Sequence, residues 1–135
     1  MSLELEIVTP EAKVYEATVD SVTLPTSSGE IGVLPGHVPL MTEIQAGEII
    51  VQKGGSTEML ATSKGFAQCV GDRISVLAED AIDIQSIDED AVAKAQADAE
   101  EALKNAESMT DEEVEMLETT IQYAHIQLLL KQKKR

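Results

Sequence analysis

Residues 24–47, LPTSSGEIGVLPGHVPLMTEIQAG, constrain the fold more than any other stretch of this 135-residue chain. Two Gly/Pro-rich clusters, Ser27-Ser28-Gly29-Glu30-Ile31-Gly32 and Leu34-Pro35-Gly36-His37-Val38-Pro39-Leu40, are separated only by Val33. Glycine admits positive φ and proline presets φ near about −65°, so this backbone must turn sharply, run briefly and turn again. No long helix fits here, and short strands do.

The flanking sequence agrees. Leu3, Leu5 and Ile7 alternate with Ser2, Glu4 and Glu6, the two-residue period of a half-buried strand, which Thr9-Pro10-Glu11 ends. Residues 19–24, 38–42 and 48–52 are further candidate strands. Gly54-Gly55 and Gly71-Asp72 each join two apolar-alternating runs and predict tight hairpins. Turn signals at this spacing favour an all-β sandwich or barrel, and the expectation is a flattened antiparallel β-sandwich over residues 1–84.

The period changes near Ser86. Ser86-Ile87-Asp88-Glu89 fits a capping box, with Asp88 as the alternative N-cap. Beyond it Val92, Ala95, Ala99, Leu103 and Ala106 recur at helical spacing. Thr110-Asp111-Glu112-Glu113 is a second capping box, followed by Val114, Leu117, Ile121, Ala124 and Leu128. Helices are expected near 88–107 and 110–133, folded as an antiparallel two-helix hairpin over residues 85–135. The first helix offers mostly alanine, so the hairpin is expected to hold together weakly. Tyr123, Ala124, Ile126, Leu128, Leu129 and Leu130 make the last turns apolar on several faces. A lone hairpin cannot bury them all. The surplus either packs on the sandwich or serves a second partner.

Composition excludes several function classes. The net charge of −15 disfavours nucleic acid and anionic lipid as main partners, and three aromatics make no stacking platform. No nucleotide-binding P-loop, nucleophile elbow, zinc-protease helix or EF-hand loop occurs. Cys69 stands alone and reads as a small buried apolar residue. No catalytic, cofactor or metal site is therefore expected, and His125 reads as a structural or solvated helix residue. The apolar runs are too short for a membrane-spanning helix, and acids occupy the start where a signal peptide carries bases. The chain reads as soluble.

These features together resemble the epsilon subunit of F-type ATP synthases. The resemblance rests on Glu6-Ile7-Val8-Thr9-Pro10, on the run from Gly29 to Leu40, on Gly65-Phe66, and on Val76-Leu77-Ala78-Glu79-Asp80-Ala81 leading into Ile87-Asp88. It implies a non-catalytic central-stalk subunit of a proton- or sodium-translocating enzyme. The sandwich would dock on the gamma subunit and the c-subunit ring, and the hairpin would be a regulatory arm. That arm would extend toward the alpha and beta catalytic subunits and inhibit ATP hydrolysis. The location implied is the cytoplasmic face of a bacterial inner membrane, or a plastid thylakoid, with membrane association through the complex only. By resemblance Glu30 and His37 contact the rotor ring; the plain alternative is an exposed turn. Lys131, Lys133, Lys134 and Arg135 either meet the beta subunit in the extended state or simply favour a helix C-terminus. Relatives that bind ATP on the hairpin carry Arg where this chain has Ala91, so no ATP binding is expected. The runner-up reading is a stand-alone adaptor with a coiled-coil arm.

Overall fold

The computed structural model describes residues 2–36 and 39–133. Ten strands come first: β1 Leu3–Val8, β2 Lys13–Val19, β3 Ser21–Thr26, β4 Gly29–Val33, β5 Leu40–Ile44, β6 Gly47–Lys53, β7 Ser56–Thr62, β8 Gly65–Val70, β9 Arg73–Ala78 and β10 Ala81–Asp83. A 3-10 turn at Ile84–Ser86 leads into helix α1, Glu89–Leu103. A second 3-10 turn, Ala106–Ser108, leads into helix α2, Asp111–Lys133.

The strands form a sandwich followed by a helical hairpin. Hydrogen bonding runs β10-β7-β6-β3-β5-β8-β9-β1-β2, with β4 on the other edge of β3. The path folds over at β3–β5, where a single pair, Thr26 opposite Ile44, joins its two halves. Alternate residues of both halves meet in one core: Leu3, Leu5 and Ile7 from β1, Val22 and Leu24 from β3, Ile49 and Val51 from β6, Ile74 and Val76 from β9. Strand neighbours are antiparallel except β1 and β9, which run parallel.

Local chemistry accounts for the turns. Gly54 and Gly55 both take positive φ, 56° and 85°, as a two-residue hairpin loop requires. The expected strand over 19–24 is in fact two strands broken at Asp20, β3 and the end of β2, and most of β2 precedes the expected range. Lys13, Val14, Glu16 and Thr18 are exposed, with a register shift opposite Ile7 and Val8, so alternation there is weak. The 38–42 strand is β5, starting at Leu40; Val38 lies outside the described residues.

Helix ends follow the capping signals. Asp88, not Ser86, caps α1, accepting from the Ala91 amide at 3.1 Å; Ser86 belongs to the 3-10 turn before it. Thr110 and Glu113 form the reciprocal box, with the Glu113 amide 3.2 Å from Thr110 Oγ1 and the Thr110 amide 3.5 Å from Glu113 Oε1. In α1 the buried face is turned slightly from expectation, since Ala95 is exposed while Gln96 is half-buried.

The surplus apolar surface of α2 packs on the sandwich. Leu130 is buried with Ala61, Ile84 and Ile87, and Tyr123 and Ile126 pack around them with Met59 and Ile82. Leu129 remains exposed. The hairpin therefore lies along the β7–β10 edge.

Candidate interaction surfaces

The outer face of β5, β8 and β9 carries side chains that a solvated face does not need. Ala67 and Cys69 of β8 point into the core, which turns Phe66, Gln68 and Val70 outward. Phe66 is half exposed, its partner Leu77 is 53% exposed and Met41 of β5 is 72% exposed. Phe66 also sits opposite Glu43. A cleft of about 660 Å³ opens beside Phe66 and Leu77, bordered by Val8, Pro10, Glu43 and Glu79. Gly65 makes this geometry possible. A Cβ there would lie 2.0 Å from the Leu77 carbonyl oxygen, so only glycine lets β8 approach β9 so closely. The sequence carries no clear signal for this face, since the outward phase of β8, Phe66, Gln68 and Val70, is larger and no more polar than its inward phase of Gly65, Ala67 and Cys69.

The loop-dense segment becomes the β3–β4 hairpin and the turn after it. Glu30 is exposed on β4, opposite Pro25 and one residue from the hairpin turn. The Gln45 amide donates to the Pro25 carbonyl at 2.8 Å, which sets Glu30 toward the same end of the sandwich as the cleft lined by Glu43, Ile44 and Gln45. Gly36 follows the far end of β4, where its amide donates to Asp72 Oδ1 at 3.2 Å in the β8–β9 turn. His37 lies outside the described residues. Glu30 and the Pro35-Gly36 turn thus lie toward opposite ends of β4.

The third surface is the contact between hairpin and sandwich. A cleft of about 490 Å³ between them is lined by Asp80, Asp88, Ala91, Thr120, Tyr123 and Gln127 among others. Its charged lining residues are carboxylates, so it repels rather than attracts a polyanion such as a nucleoside triphosphate. Burial pushes the Tyr123 phenol well above the usual tyrosine range, and the nearby Asp80 adds to this. Burial also raises the Asp80 carboxyl, helped by Glu79 and Glu11. Lys64 of the β7–β8 turn meets Glu115 of α2 at 3.0 Å.

The basic end of α2 is divided. Lys131 Nζ donates to the carbonyls of Gln85 at 3.1 Å and Ile84 at 3.3 Å, whereas Lys133 is exposed. Lys134 and Arg135 lie outside the described residues. Cys69 is buried, which pushes its thiol up. No cluster of His, Cys, Asp and Glu suited to a metal ion occurs among the described residues, and no described helix is long and apolar enough to cross a membrane.

Residues 2–84 match the family model of the ATP synthase delta/epsilon chain β-sandwich domain. The ATP synthase epsilon chain of Anoxybacillus flavithermus is 41% identical over 101 residues, 75% of this chain and 73% of that one. The ATP synthase epsilon chain of Magnetococcus marinus is 36% identical over 128 residues, 95% of this chain and 93% of that one. Among solved structures, a chain of the Euglena gracilis mitochondrial ATP synthase OSCP/F1/c-ring assembly superposes with a TM-score of 0.70 at 21% identity. The match covers 99% of this chain and 82% of that one, and is a likeness of fold.

Proposed function

The chain belongs to the ATP synthase delta/epsilon-chain family, and from that premise we propose that it is a non-catalytic central-stalk subunit. Its sandwich, residues 1–84, docks on gamma and the c-subunit ring of a proton- or sodium-translocating enzyme. Its hairpin, residues 85–135, regulates hydrolysis. The observation that carries this reading is the exposed Met41–Phe66–Leu77 face with its adjoining cleft. Phe66 and Leu77 pair across β8–β9 with Met41 diagonal to Phe66 on β5, and exposed apolar side chains grouped in this way mark a protein-binding surface. The carboxylates at its border, Glu43 and Glu79, and the net charge of −15 suit a partner with a basic rim. We assign gamma to this face, and the polar loops of the c ring to Glu30 and His37. The chain then sits peripherally on the cytoplasmic face of a bacterial inner membrane, held through the complex.

The hairpin packs on the sandwich through a small apolar cluster, which supports a two-state arm that folds back or extends toward alpha and beta. In the extended state Lys131, Lys133, Lys134 and Arg135 meet carboxylates of beta. The hairpin binds no ATP, because carboxylates line its cleft; calorimetry with millimolar Mg-ATP should show no saturable heat.

The deciding experiment is the ATPase rate of an alpha–beta–gamma core with the full chain, with a chain truncated after Ser86, and with none. The full chain should lower hydrolysis and the truncated chain should bind without lowering it. Unchanged hydrolysis across all three would remove the inhibitory role. Failure of the chain to bind the core at all would favour the adaptor reading. Phe66→Asp should weaken binding at least about tenfold, as for an anchor at an interface centre. Cysteines at 30 and 37, paired with cysteines in the c-subunit loop, should cross-link in assembled enzyme. Cross-linking at 30 alone would remove His37 from the ring contact.

A further inference from the structure

The last turn of α2 grips the joint between sandwich and hairpin in two ways at once. Leu130 is buried against Ile84, Ile87 and Ala61. The next residue, Lys131, reaches the Gln85 and Ile84 carbonyls, 46 and 47 residues earlier in the chain. Both carbonyls belong to the 3-10 turn Ile84–Ser86. The Ile84 carbonyl also accepts from the Ile87 amide at 3.3 Å, but each carbonyl has two lone pairs, and an ammonium with three N–H donors can serve two carbonyls at once. Such charge-assisted bonds are stronger than neutral ones.

The position of this contact gives it its meaning. Residues 84–88 are the only covalent link between β10 and α1. For the hairpin to leave the sandwich, backbone torsions must change in this link. We propose that Lys131 is a clasp, tying the far end of α2 to the joint about which the hairpin turns. It holds the folded-back state at its hinge and withholds its own charge from outside carboxylates until the hairpin opens. The inference rests on the two-state arm proposed above and says what holds one of its states. It also divides the basic end. Lys133 lies two residues on, about 200° round the helix, and is exposed. Lys133 is open to an outside partner in both states, and Lys131 in only one. The Lys64–Glu115 pair is a weaker tie, since its side chains are 49% and 69% exposed.

The test compares the full chain with three variants. Lys131→Met keeps the apolar stem and removes the donors, Lys131→Arg restores donors, and Lys133→Met removes a neighbouring charge. Amide hydrogen exchange is read at residues 84–87, along the last turns of α2 and in the core strands. Lys131→Met should speed exchange at the joint and in α2 by about three- to tenfold, with strands β1 and β9 unchanged. Lys131→Arg should restore most of the protection, and Lys133→Met should match the parent. Unchanged exchange in Lys131→Met, equal acceleration in Lys133→Met, or acceleration spread into β1 and β9 would each overturn the clasp. The truncation assay separates this from the parent reading. If truncation after Ser86 raises hydrolysis while Lys131→Met leaves exchange unchanged, the arm stands and the clasp falls. If truncation has no effect and exchange rises as expected, the clasp stands as a structural tie and the regulatory arm falls.

Discussion

The sandwich and the hairpin solve the burial problem in opposite ways. The sandwich draws alternate large aliphatics from both of its halves into one core, where Leu3, Ile7, Val22, Ile49, Ile74 and Val76 are fully buried. The hairpin has little interior of its own: among the described residues of its two helices, Ala99 and Ala124 are the buried apolar residues apart from Leu130, and Leu130 is buried against the sandwich with Ile84 and Ile87. A buried alanine contributes far less than the ~1.5–3 kcal/mol of a buried leucine or valine. The largest buried side chain of its helices therefore rests on surface that belongs to another part of the chain. An element of that kind can be released without unfolding its host, which is the property a regulatory arm needs.

The sharpest way to break this comparison is to cut the two cores separately. Ile74→Ala should cost about 2–5 kcal/mol in urea denaturation, seen by every probe, because the cavity lies between strands that cannot collapse around it. Leu130→Ala should cost roughly 1–2 kcal/mol, less than a rigid cavity, since the helix end can move. Its effect on hydrogen exchange should stop at α2 and residues 84–87. Equal global losses from the two variants would mean one cooperative unit and would undo the distinction.

The two tyrosines sharpen the contrast at high pH. Tyr15 in the sandwich is pushed up to about 12 by burial, with Glu58, 3.3 Å from its hydroxyl, adding to the rise. Tyr123 at the hairpin contact is pushed up further, again chiefly by burial. In both cases the folded state favours the neutral phenol. The stabilisation is complete below the ordinary tyrosine value of about 10 and is lost as pH rises above it toward the raised values. Asp80 follows the same sign at lower pH. Its carboxyl is raised by burial and by Glu79 and Glu11, so its contribution is complete below the ordinary aspartate value and is lost as pH rises through the raised one. Exchange of α2 amides, corrected for intrinsic rates, should rise with alkalinity before that of β1. Tyr123→Phe should remove that step and leave the Tyr15 step in an ultraviolet titration. An α2 step that persists in Tyr123→Phe would place the cause elsewhere.

The smallest expected effect concerns the second tie. Lys64→Ala should cost no more than about 1 kcal/mol, fade in high salt, and be visible only in α2 exchange. A loss that is independent of salt would mean that the lysine stem, not its charge, supports the contact.

Several features were legible before any coordinates. Glycine pairs at 54–55, the capping box at 110–113 and the alternation of Leu3, Leu5 and Ile7 each specify a local conformation through short-range sterics or hydrogen bonds. β2 was not legible, because the register shift opposite Ile7 and Val8 leaves Lys13 and Val14 both exposed and only Tyr15, Ala17 and Val19 alternate inward, so its strand character depends on pairing with β1. β10 is three residues long and exists only as an edge partner of β7. The motif singles out Glu30, and the structure exposes it on β4. The Phe66–Leu77 face was not legible, because an outward aromatic acquires meaning only when its neighbours across the sheet are known.

By itself, the sequence determined where the chain must turn, where its period changes from two to about 3.6 residues, and how its helices begin, since those depend on residues close in the chain. Only the tertiary structure decided that β1 lies parallel to β9, that Gly65 must be glycine to admit the Leu77 carbonyl, and that Lys131 closes on Gln85 rather than facing solvent. Each of these joins residues far apart in sequence. Their partners are selected by how whole faces pack, and no local pattern carries that information.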